Sequence, residues 1–177
     1  CKVMEKYPHL TEGQASRVVD GLRDYFHVCN VAGRRMVAMP SQAVDIAWHE
    51  FILFTKKYDH FCHKALGRFL HHTPAEAMKS PTRAQRGIKR AWSISCKREN
   101  IQPRAAYKLP ALFALDAQLK IPDGFKYSLN CKSRKTDSYC ATHIGCSSAS
   151  GFGCLGSGDS SGDGGSSGGG GGGCGGS

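Results

Sequence analysis

The sequence predicts an all-α protein: a small irregular bundle of about four to five helices over residues 1–130, followed by a disordered Gly/Ser/Cys-rich tail over 131–177. Three observations predict it. Apolar residues recur at three- and four-residue spacing through most of the first part of the chain. No segment keeps the strict apolar/polar alternation of a half-buried strand. Capping residues, prolines and glycines punctuate the periodic runs where helices should start and stop.

The elements follow in order. Residues 10–29 read as a first helix, with Thr11 placed to cap it and Val18, Val19, Leu22, Tyr25, Phe26 and Cys29 recurring at three- and four-residue spacing. Gly33-Arg34-Arg35 breaks the pattern, and Ser41 after Met39-Pro40 supplies the next N-cap. Val44, Ala47, Trp48, Phe51, Phe54, Tyr58, Phe61 and Ala65 then carry a helical period to about Leu66, where Gly67 marks the stop. Phe69 to His72 is a short extended return. Thr73-Pro74-Ala75-Glu76 has the form of a capping box with proline at the first helical position. Ser80-Pro81 repeats that device and opens a basic helix to about Arg98. Asn100 to Lys108 is loop, and Leu109 to Leu119 is a shorter apolar helix stopped by Pro122-Asp123-Gly124. From Gly151 onward 15 of 27 residues are glycine, too little apolar surface to offset the entropy of ordering.

Composition bounds the function classes. No apolar run is long enough for a transmembrane helix, and the first residues lack the layout of a secretory signal, so a soluble, cytoplasmic protein is expected. The net charge of +10 raises an anionic partner. The densest basic cluster lies in 79–104, where Arg83, Arg86, Arg90 and Lys97 share one side of a helix and Ile88, Ala91, Trp92 and Ser95 the other. A solvated surface face is the preferred reading, with anion or nucleic-acid binding through Arg83, Arg86 and Arg90 as an alternative. Apart from Cys1, the nine cysteines form two populations. Cys29, Cys62 and Cys96 sit in apolar helical patterns and should be reduced and buried. Cys131, Cys140, Cys146, Cys154 and Cys174 lie in the tail and read as uncommitted thiols, although Cys140-x2-His143-x2-Cys146 is a spacing that a soft metal could use.

The stretch from Asp45 to Pro74 holds five of the chain's eight histidines, and Cys62 besides, in what otherwise reads as a buried helix. Asp45 and His49, at i and i+4, share a face, so the carboxylate could orient the imidazole toward a metal. Cys62 lies thirteen residues beyond His49, about 20 Å along a continuous helix, so the two cannot share an ion unless the helix breaks. His71 and His72 on the return could join either end. The candidate metal ligands are therefore His49, Cys62, His71 and His72, with Asp45 as the orienting partner and zinc or another transition metal as the cofactor. Hydrogen-bonded structural histidines are the competing reading. A zinc-protease helix is excluded because Leu53 stands where H-E-x-x-H needs its second histidine. Cysteine nucleophile chemistry has little support: His63 follows Cys62 directly, and helical neighbours do not face each other. Trp48, Phe51, Phe54, Tyr58 and Phe61 make an aromatic stripe best read as core.

At Asp45-x-x-Trp48-His49, Tyr58-x-x-x-Cys62 and Gly67-Arg68-Phe69-Leu70-His71-His72, over about residues 10–130, the chain resembles the glycine-rich domain-containing protein-like family, in its bacterial branch. Phe113 to Phe125 (F-A-L-D-A-Q-L-K-I-P-D-G-F) and the Gly/Cys tail carry the same resemblance. It implies no particular activity. Many of those relatives carry W-H-x-H, and Phe51 stands here at the second histidine, so the resemblance implies a lost ligand or another arrangement. The leading expectation is a non-enzymatic interaction or structural module, for which a protein partner is expected first and nucleic acid is not favoured. The alternative is a metal-binding protein or metalloenzyme using His49 with His71 or His72 and Cys62.

Overall fold

In the computed structural model the chain is mainly helical, and the structure describes residues 2–73, 81–129, 139–141 and 144. The order is α1 (Lys2–Lys6), α2 (Glu12–Ala32), α3 (Gln42–Leu53), α4 (Thr55–Phe61), a π-helical turn (Cys62–Leu66), α5 (Pro81–Arg98) and α6 (Ala111–Gln118). Two two-residue strands, β1 (Tyr127–Ser128) and β2 (Tyr139–Cys140), pair in parallel with Tyr127 opposite Tyr139. The all-α expectation holds, with this small pair added to it. The capping box at 73–76 and nearly all of the tail lie outside the described residues. From the tail, Ala141 is buried in the core and Ile144 packs on it.

Helix α2 is the centre of the bundle and packs against α1, α3, α5 and α6. Thr11 caps it as expected: its hydroxyl accepts from the Gln14 amide at 3.3 Å, and the Gln14 side chain accepts from the Thr11 amide at 2.9 Å. Gly33, at φ +64°, ends it. Close approach of the neighbouring helices needs a missing side chain at Gly21, where a Cβ would lie 2.9 Å from both Leu115 Cδ2 of α6 and Val44 Cγ2 of α3. The apolar stripe of α5 faces inward as read, with Ala91, Trp92, Ser95 and Cys96 buried. Trp92 donates its indole N–H to the Pro103 carbonyl at 3.0 Å. Cys29, Cys62 and Cys96 are free and buried, as expected. Cys140 is disulfide-bonded, which corrects the reading of an uncommitted thiol at that position; the other tail cysteines lie outside the described residues.

One buried carboxylate fixes α3. Asp116 of α6 is 2% exposed and accepts from the Ser41 hydroxyl at 2.6 Å and from the amides of Gln42 at 2.7 Å, Ala43 at 3.3 Å and Phe125 at 2.9 Å. The first amides of a helix have no partner within it, and its positive end favours a carboxylate. Asp116 therefore caps α3 across the core, alongside Ser41, whose hydroxyl accepts from the Val44 amide at 3.3 Å. Gly124 leaves room for this arrangement, since a Cβ there would come within 2.7 Å of Asp116 Cβ.

A second carboxylate clasps α1 to the same region. Asp123 accepts from the Tyr7 hydroxyl at 2.6 Å and pairs with Lys6 at 3.0 Å. Burial works to raise the Asp123 pKa, but the Tyr7 and Lys6 contacts outweigh it and hold the group below its ordinary 3.8. A depressed folded pKa means stabilisation that is complete above the unfolded value and lost as pH falls through the folded one. Comparing urea midpoints of wild type and Asp123→Asn should therefore show wild type ahead at about pH 6, with the gap closing toward about pH 3. A gap independent of pH would show that Asp123 contributes no charge-dependent stability.

Candidate metal centre

The expected continuous helix from Ser41 to Leu66 is broken at Phe54, whose ψ of 58° ends α3 and starts α4. The break lets α4 fold back onto α3. Trp48 Nε1 donates to the Tyr58 hydroxyl at 3.1 Å, although ten residues of straight helix would separate them by about 15 Å. Phe51 turns inward against Phe26, Tyr58 and Phe61 as core, while Leu53 and Phe54 at the corner are exposed. After the π-helical turn, Gly67 at φ +65° reverses the chain.

Three contacts then fix the path of the return. Arg68 donates to the carbonyls of Cys29 and Gly33, satisfying acceptors at the C-terminal end of α2 that have no partner within the helix. Tyr58 donates its hydroxyl to the Leu70 carbonyl at 2.5 Å. Finally, His72 Nε2 meets Asp45 Oδ1 at 2.9 Å. Tyr25 donates its hydroxyl to the Val37 carbonyl at 3.1 Å, and burial first raises the phenol pKa of both Tyr58 and Tyr25, so both keep the proton they donate.

The return chooses α3. His72 stacks edge-on to Trp48 and lies 4.2 Å, ring centre to ring centre, from His49. Asp45 Oδ2 is 3.5 Å from His49 Nδ1. One donor atom each from Asp45, His49 and His72 lies within 4.8 Å of the others. Two ligands on a tetrahedral zinc, at ligand bonds near 2 Å, stand about 3.3 Å apart. The two carboxylate–imidazole distances, one to each oxygen of Asp45, fall on either side of that value. The side chains are graded from sheltered to open: His72 10% exposed, Asp45 21% and His49 47%.

Of the sequence-derived candidates, His49 and His72 come together and Asp45 joins them as a potential ligand rather than only an orienting partner. Cys62 and His71 do not join. Cys62 is fully buried beside Tyr58, and His71 is exposed with its ring against Phe69.

Asp45 and His72 also line a cleft of about 400 Å³, together with residues of the 33–39 loop, the 68–73 return, Arg83 and Phe125. Cys29 is among its lining, but burial pushes that thiol up to about 11, so it is protonated near neutrality and a poor nucleophile. The α5 arginines divide. Arg83 and Arg86 are exposed, and Arg90 is held by the Met36 carbonyl. Burial first, then the neighbouring Arg35 and Arg86, lower the Arg90 pKa, a sign of positive charge gathered on this side. The cleft and the part played by Asp116 were not foreseen. The visible signal for Asp116 was one carboxylate inside the otherwise apolar run Leu112-Phe113-Ala114-Leu115 to Ala117.

Fold and site together define a small helical protein with a histidine–carboxylate cluster beside a basic cleft. The chain belongs to the UCP032817-like family, whose model matches residues 1–146. This corrects the resemblance to the glycine-rich domain-containing protein-like family, and the bacterial branch and the lost-ligand comparison at Phe51 fall with it. No curated protein and no solved structure shows detectable similarity to the chain. Among the described residues no helix is long and apolar enough to cross a membrane.

Proposed function

We propose that this protein binds one transition-metal ion through Asp45, His49 and His72. The observation that carries the reading is the convergence of two imidazoles and a carboxylate within 4.8 Å at the edge of an accessible cleft. Two histidines with one carboxylate suit zinc and non-haem iron(II), and both leave a coordination position for water or a ligand. In the metal-free protein a proton on His72 Nε2 can bridge to Asp45, and the same nitrogen would exchange that proton for the ion. The test is the metal content of protein purified without an affinity tag, stripped and then re-equilibrated with Zn(II) or, anaerobically, Fe(II). About one equivalent is expected for wild type, and little for His49→Ala, a replacement at a half-exposed position that should leave the fold intact. Wild type that retains no metal overturns the reading.

A second reading has its own observation. The Asp45–His72 contact is short and His72 is nearly buried, so the pair could serve solely as a clasp for the return segment within an interaction or structural module. That reading is favoured if His72→Ala lowers stability while wild type binds no metal.

A further inference from the structure

We propose that the cleft beside Asp45 and His72 is a binding site for a small phosphate monoester. Four arginines line it: Arg34 and Arg35 from the loop after α2, Arg68 from the return and Arg83 from α5. Asp45 is the only carboxylate among its described lining residues. Arg34 and Arg83 make no hydrogen bond or ion pair with a described residue and are exposed, so their forks are available to an incoming oxyanion. Arg68 is anchored by two backbone carbonyls and needs little further ordering to receive one. Arg35 Nε is likewise tied to the Ala32 carbonyl at 3.2 Å, leaving its terminal nitrogens to point elsewhere.

The charge and size of the site set the class of ligand. Several guanidiniums against one carboxylate leave a positive excess that a dianion matches better than a monoanion, and a phosphate monoester is a dianion above its second pKa of about 6. A volume of about 400 Å³ falls at the small-molecule end of ligand pockets. Phe69, Phe125 and Met36 supply apolar lining for the organic part of the ester. Because Asp45 and His72 lie in the same lining, the inference rests on the metal reading for which way the phosphate turns, toward the ion. The arginines alone supply binding in its absence.

The experiment is calorimetric titration of metal-stripped protein with phenyl phosphate at low ionic strength, with benzoate and phenol as the monoanionic and neutral controls. Phenyl phosphate should bind, benzoate more weakly and phenol not at all. Arg34→Ala/Arg83→Ala should weaken phenyl phosphate at least about tenfold, the scale expected from losing charged hydrogen bonds. Arg23→Ala/Arg104→Ala, an equal loss of two charges at exposed arginines outside the cleft lining, should leave the affinity unchanged. Equal weakening by Arg23→Ala/Arg104→Ala, equal binding of benzoate, or no binding overturns the proposal. So does a short single-stranded oligonucleotide that binds far more tightly than phenyl phosphate, since the basic face would then serve nucleic acid. As the protein in this titration carries no metal, failure here leaves the metal-loading result standing, and failure of metal loading leaves this titration interpretable.

Discussion

Replacing Asp116 by alanine is expected to be among the most damaging single changes in the helical domain, costing about 3–5 kcal/mol. The physical basis is the number of donors that share one acceptor. Removing the carboxylate strips partners from the Ser41 hydroxyl and from the amides of Gln42, Ala43 and Phe125. Ser41 is completely buried, so water cannot replace what its hydroxyl loses. Each stranded buried donor costs on the order of 1–3 kcal/mol, and partial relaxation keeps the total below the simple sum. Asparagine is not a rescue. Oδ1 and Oδ2 both accept from donors, and the amide group of Asp116→Asn would turn N–H bonds toward one set of them. Urea unfolding followed by circular dichroism should show both variants far below wild type, with alanine close to its unfolding threshold if the parent sits at the low end of ordinary stability, about 5 kcal/mol. A loss under about 1 kcal/mol for Asp116→Ala would mean that the α3 amides are satisfied in another way, and that the cap is not what positions Asp45 and His49.

The contrast between Asp116 and the other helix caps explains how far the sequence could be read. Thr11, Ser41, Gly33 and Gly67 act within a few residues of themselves, so their roles follow from local spacing alone. Asp116 acts on residues more than seventy positions away, and no local pattern encodes that pairing. The broken helix is a similar case. Its apolar period continues without interruption through Phe54, because a chain that folds back on itself still needs one apolar face on each limb. Only the exposure of Leu53 and Phe54 marks the corner, and exposure is a tertiary property. Rise along a continuous helix separates His49 from Cys62, a premise that the break at Phe54 removes, and the partner of His72 stays open for a similar reason. Helix rise fixes distances within α3, but the path of the return depends on Arg68 finding the end of α2 and on Tyr58 reaching Leu70. The cleft has the same origin. Its walls come from segments far apart in sequence, and its arginines divide between a loop, a return and a helix that had each been read separately.

Asp45→Ala is expected to abolish metal loading, from about one equivalent to none, while costing about 1–3 kcal/mol of stability. The two effects have separable causes. As a ligand, Asp45 supplies the only carboxylate of the cluster, and two imidazoles on opposing segments would be left to hold the ion alone. As a structural partner, it accepts from His72, a side chain too sheltered for water to replace the contact fully. Asp45→Asn divides these roles. Its amide oxygen can still accept from His72 Nε2 and hold the return in place, but it brings no negative charge to a cation and is a weaker ligand than a carboxylate. Asparagine should therefore unfold close to wild type in urea and yet lose metal by at least about a hundredfold in affinity, the upper end of what supporting groups around bound metals contribute. A purely structural clasp predicts the same stabilities, alanine destabilised and asparagine nearly normal, but no metal in any of the three proteins. Measuring stability and metal content on the same preparations assigns Asp45 to one role or to both. If Asp45→Asn retains wild-type metal affinity, the carboxylate is not a ligand and the metal centre as drawn here is wrong.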